Sequence, residues 1–210
     1  MIKLRDILRL LPTFGILIFM GLYIYATKLY PGGSQADINS IGYDWSNNFW
    51  CNLMSVKGMN GDENPARPVA LIAMVILCSS MTLFFFQFAN YFVKNRNWKL
   101  TIKIAGTLAM VSAVFIFTQV HDVMTTILSV CGVIGIIGII RALHINKMTF
   151  FKVSGIICMT LVGVINLFYY DENLIKYLPL IQITGFILIL AWTVGLNLKM
   201  KGKNGLQQRV

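Results

Sequence analysis

Residues 101–143, TIKIAGTLAMVSAVFIFTQVHDVMTTILSVCGVIGIIGIIRAL, decide the fold class. One polar pair, His121-Asp122, separates two apolar runs at 101–120 and 123–143. Each run has the ~20 residues that a helix needs to cross a bilayer core. The break between them predicts a tight helical hairpin. Outward from this pair the pattern repeats, with apolar runs at 69–93, 150–170 and 177–198 and a first run at 10–30. That first run has basic residues ahead of it, as a signal peptide does. It continues to Tyr30 and meets Pro31-Gly32-Gly33 without a small-residue cleavage pattern, so it reads as a retained span. The expectation is an all-α membrane protein: one domain over residues 1–210, an antiparallel bundle of six transmembrane helices.

Composition agrees. Of 210 residues, 57% are hydrophobic and 12% charged, against roughly 25% charged in a soluble domain. The net charge of +10 raises nucleic acid as a partner. The basic residues, however, punctuate the ends of apolar runs and form no patch, which is a topology signal; nucleic-acid binding is set aside. Fourteen of the eighteen basic residues fall on the N-terminus, the second and fourth connections and the tail, while seven of the eight acids fall on the other side. Basic loops stay in the cytoplasm, so both termini are expected inside, in a bacterial cytoplasmic membrane. Cys51, Cys78, Cys131 and Cys158 show no CxxC or zinc spacing and support neither a disulfide framework nor a metal site. No cofactor is expected.

Small residues matter where lipid offers no hydrophobic drive between helices. Gly132, Gly135 and Gly138 in the fourth run, with Gly106, Ala109 and Ser112 in the third, mark expected helix crossings.

The one long connection, about 31–68, lies outside and carries Tyr43, Trp45, Phe49, Trp50 and Leu53 among polar residues. On a helix, Trp45, Phe49, Leu53 and Val56 form an apolar stripe and Asp44, Asn48, Cys51 and Ser55 a polar one. This spacing predicts a short amphipathic interfacial helix, capped by Ser40 or Asp44. It serves either as a membrane anchor or as a lid presenting Asp44, Asn48 and Asn52 to the outer mouth. The turn at 60–65 lacks the ligand spacing of a calcium loop.

Tyr30-Pro31-Gly32-Gly33-Ser34, Gly42-Tyr43-Asp44-Trp45, Asn48-Phe49-Trp50-Cys51-Asn52-Leu53 and Asn64-Pro65-Ala66-Arg67-Pro68 resemble an uncharacterised family of bacterial six-helix membrane proteins, a domain of unknown function. The layout alone is more distantly similar to the Frag1/DRAM/Sfk1 group, some members of which are linked to lipid remodelling or distribution. Neither likeness implies a reaction.

Polar side chains gather near the outer helix ends. His121 and Asp122 sit at the hairpin with Gln119, Thr125 and Thr126, while Asn166, Asp171, Gln182 and Thr184 mark the fifth and sixth runs. A histidine beside carboxylates can act as general base or ligand, so His121, Asp122 and Asp44 are the catalytic candidates. Trp45, Asn48, Trp50, Asn52, Arg67, Asn166, Asp171 and Gln182 are the candidates for ligand contact. The second histidine, His144, lies at the far end of its run, so the two cannot share a metal or a haem. No Walker loop, GxSxG or HExxH occurs, and no acid lies deep within a run. The expected function is binding of a membrane lipid, small amphiphile or membrane partner at the outer face. An enzyme acting on a lipid substrate is the alternative, and a small transporter the third reading.

Overall fold

The computed structural model describes the backbone of residues 4–202 and the side chains of residues 7–200; the basic residues Lys3, Lys203 and Arg209 lie outside the described residues. Six α-helices follow one another: α1 (Leu4–Leu29), α2 (Arg67–Phe92), α3 (Arg96–Val114), α4 (His121–Ile145), α5 (Thr149–Tyr170) and α6 (Leu178–Gly202). Consecutive helices pack together, and α6 returns to α1 and touches α2. Five helical stretches, at Ile7–Leu29, Arg67–Phe92, His121–Ile145, Thr149–Tyr170 and Ile175–Met200, are long and apolar enough to cross a membrane. The chain is a multi-pass, membrane-spanning type of protein.

The third helix departs from expectation. It begins earlier, where the Asn95 side chain caps it by accepting from the Trp98 N–H at 3.1 Å, and so takes in Arg96, Lys99 and Lys103. It also ends at Val114, and residues 115–120 leave the helix through successive turns. The tight hairpin expected at His121-Asp122 is therefore a six-residue connection lying ahead of it. Two local preferences account for this. Phe115, Ile116, Phe117, Thr118 and Val120 are aromatic or β-branched and propagate a helix poorly. Asp122 is favourable in a first helical turn, so α4 starts at His121.

The core is built from stripes and close crossings. Ile16, Phe19, Tyr23 and Ala26 are all buried, alternating three and four residues apart on one face of α1, and Tyr30 just past its end is buried too. Ala70, Ala73, Leu77, Ser80 and Phe84 repeat the alternation on α2. Glycines let the helices approach: an added Cβ would strike Ser80 from Gly15, Phe85 from Gly106, Ile102 from Gly138 and Trp192 from Gly155. Gly106 and Gly138 are thus crossings as expected, whereas Gly132 faces open space. Burial in α4 is confined to Gly135, Gly138, Ile139, Ala142 and Leu143, and in α5 to Gly155 and Cys158. The halves nearer His121 and Tyr170 are left to the surroundings.

Candidate functional site

Pro12 lies within α1. It has no N–H for the carbonyl of Leu8 four residues back, so that oxygen needs another donor. Gln87 Nε2 of α2 donates to it at 3.2 Å. One residue on, the Arg9 carbonyl accepts from Asn197 Nδ2 of α6 at 3.1 Å, and the same Nδ2 lies 3.3 Å from Gln87 Oε1. Asn197 Oδ1 accepts from the Thr13 hydroxyl at 2.7 Å. Asn197 is completely buried, so three helices meet on a satisfied polar knot, the arrangement that lets a proline persist in a membrane helix. Sequence reading overlooked Gln87 and Asn197. The signal was Pro12, because a freed carbonyl in one apolar helix calls for an amide donor on another.

At the opposite end, the connection between α1 and α2 is a compact structure. Where an amphipathic α-helix was expected, a turn at residues 45–47 leads to a 3-10 helix over Trp50–Met54. The expected stripe does not share a face: Leu53 is fully buried while Trp45 and Val56 are exposed. Asparagines decide the path instead. Asn48, also fully buried, donates to the Gly33 carbonyl at 2.9 Å and accepts from the Asp44 N–H at 2.8 Å. Asn64 Nδ2 reaches the carbonyls of Asn52, Leu53 and Ser55 at 3.0–3.3 Å, and its Oδ1 accepts from the Ala66 N–H. These long-range bonds outweigh a local helical period. Gly33, at φ +80°, passes so close to Met59 and Asn60 that a side chain has no room.

Trp50 fastens the loop to the helices. Its ring centroid is 5.0 Å from Tyr23, 6.1 Å from Phe19 and 4.8 Å from Phe186 of α6. Its carbonyl accepts from the Tyr23 hydroxyl at 3.0 Å. Trp50 is thus a buried plug between α1 and α6. Its Nε1 has no hydrogen-bond partner, nor has Gln182 Oε1 one turn before Phe186.

The remaining candidates separate. The Asp44 carboxylate accepts from the N–H groups of Ser46 and Asn47 and from Asn47 Nδ2 at 2.8 Å. The Asn47 side chain leads in holding it below the usual carboxylate range, with both backbone donors adding to it. Asp44 is thus engaged within its own turn. His121 Nδ1 lies 3.0 Å from Asp122 Oδ1, and Tyr169 of α5 donates its hydroxyl to the same oxygen at 3.1 Å. Asn52 is buried and donates to Met59 Sδ at 3.2 Å. Asn166 Oδ1 accepts from Ser129 at 3.2 Å, tying α5 to α4. Asp171 is exposed and caps the N–H of Asn173. Arg67 opens α2, its Nε buried without a partner. Around Cys51, burial pushes the thiol up to about 11, and it pushes the Tyr43 phenol far above its usual range. Among the described residues, no three His, Cys, Asp or Glu side chains gather so as to hold a metal ion.

Two grooves accompany these groups. One, of about 420 Å³, runs between α4 and α5 beside Ser129 and Asn166. The other, of about 540 Å³, lies where Ser46 of the loop meets the end of α5 and the start of α6. Phe168, Leu174, Tyr177, Leu180 and Ile181 make its apolar walls, and Lys176 also lines it. The Lys176 ammonium is 5.0 Å from the Tyr177 ring centroid. Of all these groups, only Ser46, beside Trp45, brings the loop to a groove. Searches against protein-family models, curated proteins and solved structures find no match for the chain.

Proposed function

We propose that this chain is a multi-pass protein of the bacterial cytoplasmic membrane that binds a lipid or small amphiphile at its outer face. In this reading all six helices cross the bilayer and both termini are cytoplasmic; the basic α3, flanked by five apolar spans, crosses under cover of α2 and α4. The observation that carries it is the groove of about 540 Å³, apolar along its walls and reached by Ser46 of the loop. An apolar concavity with a few polar groups at one end suits an amphiphile. The resemblance to uncharacterised six-helix membrane proteins is compatible with this role and adds no reaction.

Native mass spectrometry on protein released from its membrane tests the reading. A defined lipid retained by the wild type and lost on Leu180→Phe/Ile181→Phe supports it. Equal retention by both proteins overturns it. The enzyme reading keeps one observation in its favour, the run Tyr169–Asp122–His121, in which the carboxylate orients an imidazole and leaves Nε2 as a candidate base. Turnover of a lipid substrate lost on His121→Ala would favour that reading over simple binding.

A further inference from the structure

We infer that the groove at the start of α6 selects an anionic glycerophospholipid, with one acyl chain along Leu180 and Ile181 and the phosphate at Lys176. The inference rests on the functional reading above and specifies its ligand.

Charge is the first argument. The side of the protein holding the loop carries seven acids and only four basic residues, Lys28, Lys57, Arg67 and Lys176. Of these, Lys176 alone lines the groove. Among the described residues no carboxylate lies within ion-pairing distance of it. Asp171 and Glu172 are near in sequence and exposed, and Asp171 already caps Asn173. Lys176 therefore lines the apolar groove with no carboxylate partner among the described residues.

Geometry is the second. The ammonium sits over the ring of Tyr177, itself a wall of the groove, and a cation so placed is held beside that wall. A free anion would be repelled by the surrounding acids. A phosphate already tethered to a chain in the groove is held there by apolar burial, which grows with each methylene covered. Lys176 then acts as the selector among lipids, and the apolar wall supplies affinity.

Trp45 provides the readout, being half exposed and adjacent to Ser46 in the groove lining. The full chain is reconstituted in phosphatidylcholine bilayers containing a small fraction of brominated phosphatidylglycerol, brominated phosphatidylcholine or brominated fatty acid. Trp45 quenching is taken as the difference between the wild type and Trp45→Phe. Expected is about five-fold stronger apparent binding of the brominated phosphatidylglycerol than of the phosphatidylcholine, the contribution of one lysine at a membrane surface. Lys176→Gln should abolish the preference and Lys176→Arg retain it. A preference that survives Lys176→Gln, or none in the wild type, overturns anion selection and leaves the lipid groove standing. Stronger quenching by the fatty acid than by phosphatidylglycerol overturns the phospholipid. Quenching unaffected by Leu180→Phe/Ile181→Phe overturns the groove and the functional reading together.

Discussion

Replacing Asn197 by leucine keeps the volume of the side chain and removes its hydrogen bonds. In the native protein its carboxamide accepts from Thr13 and donates to the Arg9 carbonyl and Gln87 Oε1, with separations of 2.7, 3.1 and 3.3 Å. Interhelical hydrogen bonds in membranes average about 0.6 kcal/mol and reach about 1.7, so three account for about 2 kcal/mol. Leucine also takes away the partner that Asn197 supplies to the Thr13 hydroxyl and to the Gln87 carboxamide oxygen. Unsatisfied groups raise the expected loss to about 2–4 kcal/mol. Reversible unfolding of the purified protein in mixed micelles, titrated with denaturing detergent, measures it. The proline makes the test specific. In a Pro12→Ala background the Leu8 carbonyl regains a helical donor, so Gln87→Leu should cost less there than in the wild type, by about 1 kcal/mol, with only the loss of the Asn197 contact remaining. An Asn197→Leu variant as stable as the wild type, or a Gln87→Leu cost unchanged by Pro12→Ala, would mean that the knot does not hold these helices together.

Trp50→Ala should cost about 3–5 kcal/mol, as for other buried aromatic residues, and expose the loop to limited proteolysis; Trp45→Ala, at a half-exposed position, should do neither. The Cys51 thiol, pushed up to about 11 by burial, should alkylate about 100-fold more slowly at neutral pH than an unperturbed thiol, as followed by maleimide mass shift; unfolding in detergent should restore the normal rate. The Asp44 carboxylate is held low by Asn47 and by the backbone of its turn. A depressed folded value means its contribution is complete above the ordinary carboxylate range and falls away as pH drops through the lowered value. Trp45 fluorescence should therefore change on acidification below about pH 4, and Asp44→Asn should remove that change.

The apolar runs located the helices, because transfer of a side chain into lipid is a property of that side chain and adds up along the chain. The same logic failed at the end of α3, where helix propagation through Phe115–Val120 competes with hydrophobicity and a run of apolar residues does not guarantee a helix. It failed again at Trp45–Val56. The 3.6-residue spacing there was real, but the Asn48 and Asn64 carboxamides took backbone partners up to fifteen residues away, and the chain turned to meet them.

Of the candidate site, the sequence named Trp50, His121, Asp122 and Asn166 without their partners. Tyr169, Phe186 and Ser129 became visible only when helices distant in the chain were set side by side. Length, apolarity and the sign of the connections belong to the sequence alone, since each is a local sum. The Pro12 knot, the Trp50 plug and the lysine in the groove lining belong to the tertiary structure. A hydrogen bond or a groove is a relation between two places on the chain, and Thr13 and Asn197 lie 184 residues apart before folding makes them neighbours.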